Sequence, residues 1–237
     1  MSGAKDLIIR PISGRDAEAV VRKYHYSGKI VRNSSTHFGA FINGQLEGAL
    51  SFGPPTDKRR TIRLVDGTGW ANMLELNRMA FSPRLPRNSE SRAISVACRI
   101  LRKHAPQIKW ILSFADGALC GDGTIYRASG FILTGIKPTQ VMYRLPDGST
   151  LHKLTLESSP TTPRPEAGGR SYYEVTGGKY NIKKYMQEVG GVLLGGYQLR
   201  YVRFLDPTWR DRLTVPELPY SAIADAGARM YLGKPLQ

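Results

Sequence analysis

Two stretches of the chain gather the residue types that hold anions and move protons. The first begins at Glu75, continues through Asn77 and Arg78 to Ser82, and passes into Pro83-Arg84-Leu85-Pro86-Arg87-Asn88-Ser89-Glu90-Ser91-Arg92. A strand-like segment here hands over to a helix start, where backbone N–H groups without intrahelical partners and the helix dipole attract negative charge. Arg84, Arg87 and Arg92 surround that start, and Asn88 and Ser89 compete to cap it. A phosphate-bearing donor held by Arg84, Arg87, Asn88, Ser89 and Ser91 is one reading; a capped helix with solvated arginines is the other. The second stretch is Ser113-Phe-Ala-Asp116-Gly117, followed by Asp122-Gly-Thr-Ile-Tyr126-Arg127-Ala-Ser-Gly130-Phe131. Asp116 ends an apolar run that Gly117 breaks, so its carboxylate is expected to open into a crevice beside a sheet. An Asp-Gly turn is the alternative there, and Asp122 reads as a plain helix N-cap. Tyr24-His25-Tyr26 could stack on a base, or simply pack at a helix end.

The elements that must position these residues follow from periodicity and turn chemistry. A strand, Leu7 to Ile9, leads to a helix from about Ser13, its capping residue, that ends near the Gly-stopped segment Tyr24-His25-Tyr26-Ser27-Gly28. Asn43-Gly44 between Thr36–Ile42 and Gln45–Phe52 is a hairpin signal, because both turn residues tolerate positive φ. Lys58, Arg59, Arg60 and Arg63 form a basic loop, and Met73 to Phe81 is a strand. Ser89 to His104 is a helix, with Ile94, Ala97, Cys98 and Leu101 at i, i+3, i+4 and i+7. Ile108–Phe114 is a buried strand, Asp122–Ser129 a short helix and Phe131–Ile136 another strand. A helix over Tyr180–Glu188 and a strand over Tyr197–Leu205 close the pattern. The order predicts an α/β (α+β) fold, a central mixed twisted sheet flanked by helices. The expected organisation is a core over 1–145, a polar insertion or mobile loop over 146–170, the end of the core over 171–206 and a wrapping C-terminal tail over 207–237.

Composition narrows the partners. The 237 residues are 41% hydrophobic, which excludes wholesale disorder. Thirty-four basic against 19 acidic residues give a net charge of +15, with 22 Arg against 12 Lys. Arginine suits forked contacts to phosphates and base edges, so nucleic acid is the expected large partner. A basic enzyme with a solvated cationic face is the alternative. No apolar run approaches the ~18–20 residues of a membrane helix, and no signal peptide is visible, so a cytoplasmic protein is expected. Cys98 and Cys120 form no metal-binding pair. His25, His37, Glu75 and Asp116 could contribute ligands to iron, but their spacing matches no metal motif, and no metal site is assigned. His104 and His152 read as surface residues without a role.

Strand, anion-binding helix start, strand and then Tyr126-Arg-Ala-Ser-Gly130-Phe131 resembles the Gcn5-related N-acetyltransferases, in whose fourth-helix signature a Tyr commonly protonates the donor's leaving group. The chain departs from that superfamily's pyrophosphate loop, because Arg84-Leu-Pro-Arg-Asn-Ser89 contains no glycine. His25-Tyr26-Ser27-Gly28-Lys29, Glu75 to Ser82, Leu85 to Ile94, Ser113 to Gly117, Cys120 to Phe131, Gln198-Leu-Arg-Tyr201 and Leu213-Thr-Val-Pro216 together resemble the Mom family of Mu-like bacteriophages, over most of the chain. The resemblance implies an enzyme that converts adenine to N6-carbamoylmethyladenine in phage DNA and so blocks host restriction enzymes. The product has the skeleton of glycinamide, which favours an activated glycyl donor, glycyl-tRNA suiting the charge. Acetyl-CoA with a separate nitrogen source is the alternative, and an iron-assisted route a third. The target is double-stranded DNA, with the adenine flipped or single-stranded.

On this reading Asp116 holds the exocyclic amine and accepts its proton, Tyr126 protonates the leaving oxygen, and Glu75 is a further candidate that could instead pair with Arg78 or Arg92. Arg84, Arg87, Asn88, Ser89 and Ser91 hold the donor. Tyr24, His25, Tyr26, Asn77 and Ser113 surround the base, and Arg59, Arg60 and Arg63 contact DNA phosphates. The rival readings are a coenzyme A-dependent N-acetyltransferase acting on another acceptor and a non-catalytic basic DNA-binding protein.

Overall fold

The computed structural model describes residues 3–25, 27–118, 121–231 and 234–235. The chain forms two compact units: Met1–Ala115 with Gly123–Gly135 and Leu199–Ala222, and Asp116–Asp122 with Ile136–Gln198 and Ile223–Gln237.

In the first unit, β1 (Ile8–Pro11) leads into α1 (Gly14–Tyr24), which Ser13 caps by accepting the Asp16 N–H at 3.1 Å. The hairpin of β2 (Thr36–Ile42) and β3 (Gln45–Gly53) turns at Asn43 and Gly44, with φ of 50° and 77°. After the short α2 (Lys58–Thr61) come β4 (Met73–Phe81), α3 (Ser89–His104), β5 (Trp110–Asp116) and α4 (Thr124–Ala128). The strand order is β1-β2-β3-β4-β5, then β8 (Val192–Phe204) and β6 (Ile132–Arg144), whose Leu199–Phe204 and Ile132–Gly135 lengths belong here. One sheet face receives α1, which lays Ala17, Val20 and Val21 on Ala49 and Ala80. The crossover from β4 to parallel β5 is α3, burying Ala93, Ile94, Ala97, Cys98 and Leu101 along one stripe.

Two features of β4 prepare the site. Its parallel pairing with β5 runs Met73↔Trp110, Leu74↔Ile111 and Glu75↔Leu112, and among the described residues it extends no further. Beyond Glu75 the strands part. On the other edge Ser51 pairs with Arg78 and Phe52 with Leu76, leaving Asn77 as the extra residue of a β-bulge.

The second unit holds the remaining lengths of β8 and β6, with β7 (Thr150–His152) antiparallel to β6. It continues with α5 (Lys153–Glu157), α6 (Tyr172–Thr176) and α7 (Ile182–Val189). Its core gathers Tyr143, Leu145, Leu151, Leu156, Ala167, Tyr172, Tyr185 and Met186. The expectation of a polar insertion or mobile loop over 146–170 is therefore corrected. Leu151, Leu156 and Ala167 are each under 10% exposed, and these few apolar anchors fold the stretch despite its Ser/Thr/Pro composition. Within the first unit, Leu218 donates its N–H to Leu133 O and the Tyr220 hydroxyl donates to Phe131 O, while the chain from Ile223 belongs to the second unit.

Candidate active site at the opening of strands 4 and 5

Where β4 and β5 part, the carbonyl of Leu76 loses its strand partner, and the buried Ser113 hydroxyl donates to it at 3.0 Å. Ser113 thus bridges the opening and has no exposed surface for a base, which corrects that expectation. Glu75 sits at the last paired position. Burial raises its carboxyl to about 7, with the positive charge of Arg78 pulling the other way. A half-buried carboxylate poised near neutrality is what a general base requires.

Arg78 ties the loop after α1 to this strand, donating from Nε to Lys29 O at 2.8 Å and from Nη1 to Asn77 O at 2.6 Å. Burial and the charge of Arg78 hold the His25 imidazole down at about 4, so it is neutral near pH 7. The Ser27 N–H donates to His25 Nδ1 at 3.1 Å, which assigns the ring proton to Nε2. Asn77 accepts the Ser34 hydroxyl at 2.9 Å through Oδ1, while its buried Nδ2 has no hydrogen-bond partner among the described residues. An orphaned buried amide is costly unless something else takes its proton. Beside it, a cleft of about 200 Å³ is bounded by Ser34, Arg32, Glu18, His37, Ser51 and Arg78. His37 Nδ1 and Ser51 Oγ, both lining it, lie 2.9 Å apart. Tyr26 lies outside the described residues.

Tyr126 points its hydroxyl at Phe114 O on β5, 3.4 Å away, and its ring packs 5.4 Å from Phe131 and 5.3 Å from Tyr201. Its helix begins at Gly123, in left-handed conformation with φ 77°, so Asp122 is not the N-cap the sequence suggested. A side chain at 123 would meet the Tyr201 ring at 2.5 Å, which is why glycine takes the position.

The helix start of α3 departs from expectation. Neither Asn88 nor Ser89 caps it by side chain: Asn88 is left-handed with φ 70°, and the fully buried Ser89 donates Oγ to Pro86 O. Ser91 donates to Asn88 O at 3.1 Å. Arg84, read as a donor contact, instead reaches the buried Glu47 carboxylate at 2.6 Å, and the Tyr24 hydroxyl donates to the same carboxylate at 3.2 Å. Leaving Glu47 unpaired would be expensive, so Arg84 and Tyr24 are committed to it. Pro83, Arg84, Arg87 and Asn88 are exposed in this loop, and Arg59, Arg60 and Arg63 are likewise exposed.

In the second unit, Asp116 accepts the Ala118 N–H at 3.0 Å, a turn bond of the kind Asp-Gly favours. Burial raises its pKa, and that backbone bond and the charge of His152 lower it. His152, to which the sequence assigned nothing, is therefore a neighbour of Asp116; it accepts the Leu154 N–H at Nδ1. Among the described residues no three His, Cys, Asp or Glu side chains gather as metal ligands.

The model of the Mom protein family matches residues 6–222. The chain belongs to the Mom family. The methylcarbamoylase Mom of Escherichia phage Mu is 33% identical over 214 residues, spanning 89% of this chain and 80% of that protein. Among solved structures, an acetyltransferase of Bacillus subtilis in complex with CoA aligns over 84% of this Mom family chain and 98% of its own, at 11% identity and TM-score 0.45. The ribosomal-protein-S18-alanine N-acetyltransferase of Escherichia coli aligns over 84% and 94%, at 10% identity and TM-score 0.40. No helix among the described residues is long and apolar enough to cross a membrane.

Proposed function

We propose that this Mom family member is a transferase that converts adenine in phage DNA to N6-carbamoylmethyladenine, in the host cytoplasm, and so protects that DNA from restriction. The observation that carries the reading is Glu75, a half-buried carboxyl raised to about 7 at the parting of β4 and β5, in a chain of the Mom family. The flipped adenine presents N6 to Glu75, with the unpartnered Asn77 Nδ2 as a donor to a ring nitrogen. Asn is suited to adenine because its amide carries a donor and an acceptor side by side.

The donor is an activated glycyl ester, as in glycyl-tRNA. N6 attacks the ester carbonyl, the N–C bond forms as the C–O bond breaks, Glu75 takes the amine proton, and Tyr126 protonates the leaving oxygen. The glycyl amine then attacks C6 through a five-membered ring and expels the old N6 as the carboxamide, which rearranges atoms without adding any. The loop between β4 and α3 is a poor fit to coenzyme A. The Arg84, Leu85 and Ser89 N–H groups are spent on Ser82 and Pro86, and Pro86 has none, so the backbone cradle a pyrophosphate needs is incomplete. Isotope-labelled glycine supplied to cells making the protein should appear in the modified base, both carbons together. Label arriving from acetate instead would contradict the glycyl route.

A further inference from the structure

A second face of the first unit joins exposed aromatic surface to unpaired cations. Trp70 is 59% exposed, yet the loop that carries it is pinned. Thr68 Oγ1 donates to Val65 O at 2.6 Å and accepts from Trp110 Nε1 at 3.0 Å. Asn72 accepts the Gly69 N–H at 2.7 Å and donates to Gln107 O at 3.0 Å. A lone exposed apolar residue is ordinary. What surrounds this one is not. The Lys58 ammonium lies 4.7 Å from the Trp70 ring centre. The segment after Pro207 docks alongside, through the Val65↔Leu213 bridge, the Asp66 N–H to Arg212 O at 2.8 Å and the Thr214 hydroxyl to Arg63 O at 2.7 Å. It brings Arg212, whose guanidinium lies 4.6 Å from the Trp209 ring. Two nearby carboxylates are used: Asp57 lies 3.8 Å from Arg60, and Glu217 takes Arg210 at 2.6 Å. Asp66 and Asp211 are exposed in the same segments. Arg59, Arg63 and Arg212 are exposed and form no ion pair among the described residues.

We propose that this face is a stacking platform for an unpaired DNA base, with Trp70 as the ring and Lys58, Arg59, Arg63 and Arg212 on the flanking phosphates; it rests on the reading of the substrate as DNA. A pre-positioned indole gains base stacking at little ordering cost, and every base offers a π-face, so the contact is tolerant of sequence. An enzyme that takes adenine out of the duplex leaves unpaired bases for such a surface to hold. The test is fluorescence anisotropy of the full chain with a single-stranded oligodeoxynucleotide, its duplex and the matching oligoribonucleotide. Trp70→Ala should weaken single-strand DNA binding about ten-fold without changing the slope of log affinity against log salt, since no charge is removed. Trp70→Phe should retain most of the affinity and Trp70→Leu should lose it, a comparison that holds even if the alanine variant folds poorly. Equal affinities for the Phe and Leu variants, or a dependence on Trp70 seen only with RNA, would overturn the proposal. Adenine modification by the unaltered chain is measured in parallel, so that failure of the enzymatic reading is told apart from failure of the platform.

Discussion

At the scale of the residue, Glu75 decides most. Its carboxyl at about 7 stands well above the ordinary 4.5, and burial is the cause. As a general base it must be ionised, so modification in vitro should rise as pH passes through about 7. Glu75→Gln should remove that rise along with about a hundred- to ten-thousand-fold of the rate. The same shift sets a stability signature of opposite sign. The folded state holds this proton more tightly than the unfolded chain, so the group's contribution is present below pH 4.5 and lost as pH climbs through 7. Glu75→Gln has no such loss, and above pH 8 it should be more stable than the unaltered protein by on the order of 2 kcal/mol in denaturant unfolding. A variant that is both inactive and less stable at that pH would point to a structural role for Glu75 alone. The alternative partner expected for it was Arg78 or Arg92. Arg78 lies close enough to act on it, while Arg92 reaches Lys5 O instead.

At the scale of the element, the parting of β4 and β5 and the glycine start of α4 do the positioning. Gly123→Ala would drive a methyl into the Tyr201 ring at 2.5 Å and force a positive φ on alanine. The ring packs at a tilt 5.3 Å from that of Tyr126, so the hydroxyl of Tyr126 should move with it. Thermal unfolding should show a loss of about 1–3 kcal/mol, and modification should fall further than that loss explains. An unshifted midpoint would show that the ring gives way freely. Local chemistry made much of this scale readable. Asn43-Gly44, the Ser13 cap and the apolar stripe of Ser89–His104 each carry their own turn or period, and all three appear where expected. What could not be read depends on pairing across the chain. The Asn77 bulge exists only relative to Ser51 and Phe52, and the hydroxyl that reaches Asn77 lies 43 residues away at Ser34. The commitment of Arg84 to Glu47 spans 37 residues. Polar composition likewise concealed Leu151, Leu156 and Ala167 as core, because a few apolar residues suffice once neighbours cover them.

At the scale of the whole molecule, charge bears on the proposed encounter with DNA. A net +15 should make DNA affinity fall steeply between low and physiological salt. Replacing Arg59, Arg60 and Arg63 together by alanine should flatten log affinity against log salt, and an unchanged slope would place the phosphates on another face. That electrostatic term attracts any nucleic acid and cannot distinguish an enzyme from a coating protein. The separation comes from the product. The most direct test is mass spectrometry of adenosines from plasmid DNA replicated beside the unaltered protein, Glu75→Gln and a vector control. The account predicts N6-carbamoylmethyladenine with the unaltered protein alone, while the variant still binds DNA with the same salt dependence. Unmodified adenine from a folded, DNA-binding wild-type chain, or undiminished modification by Glu75→Gln, would contradict it.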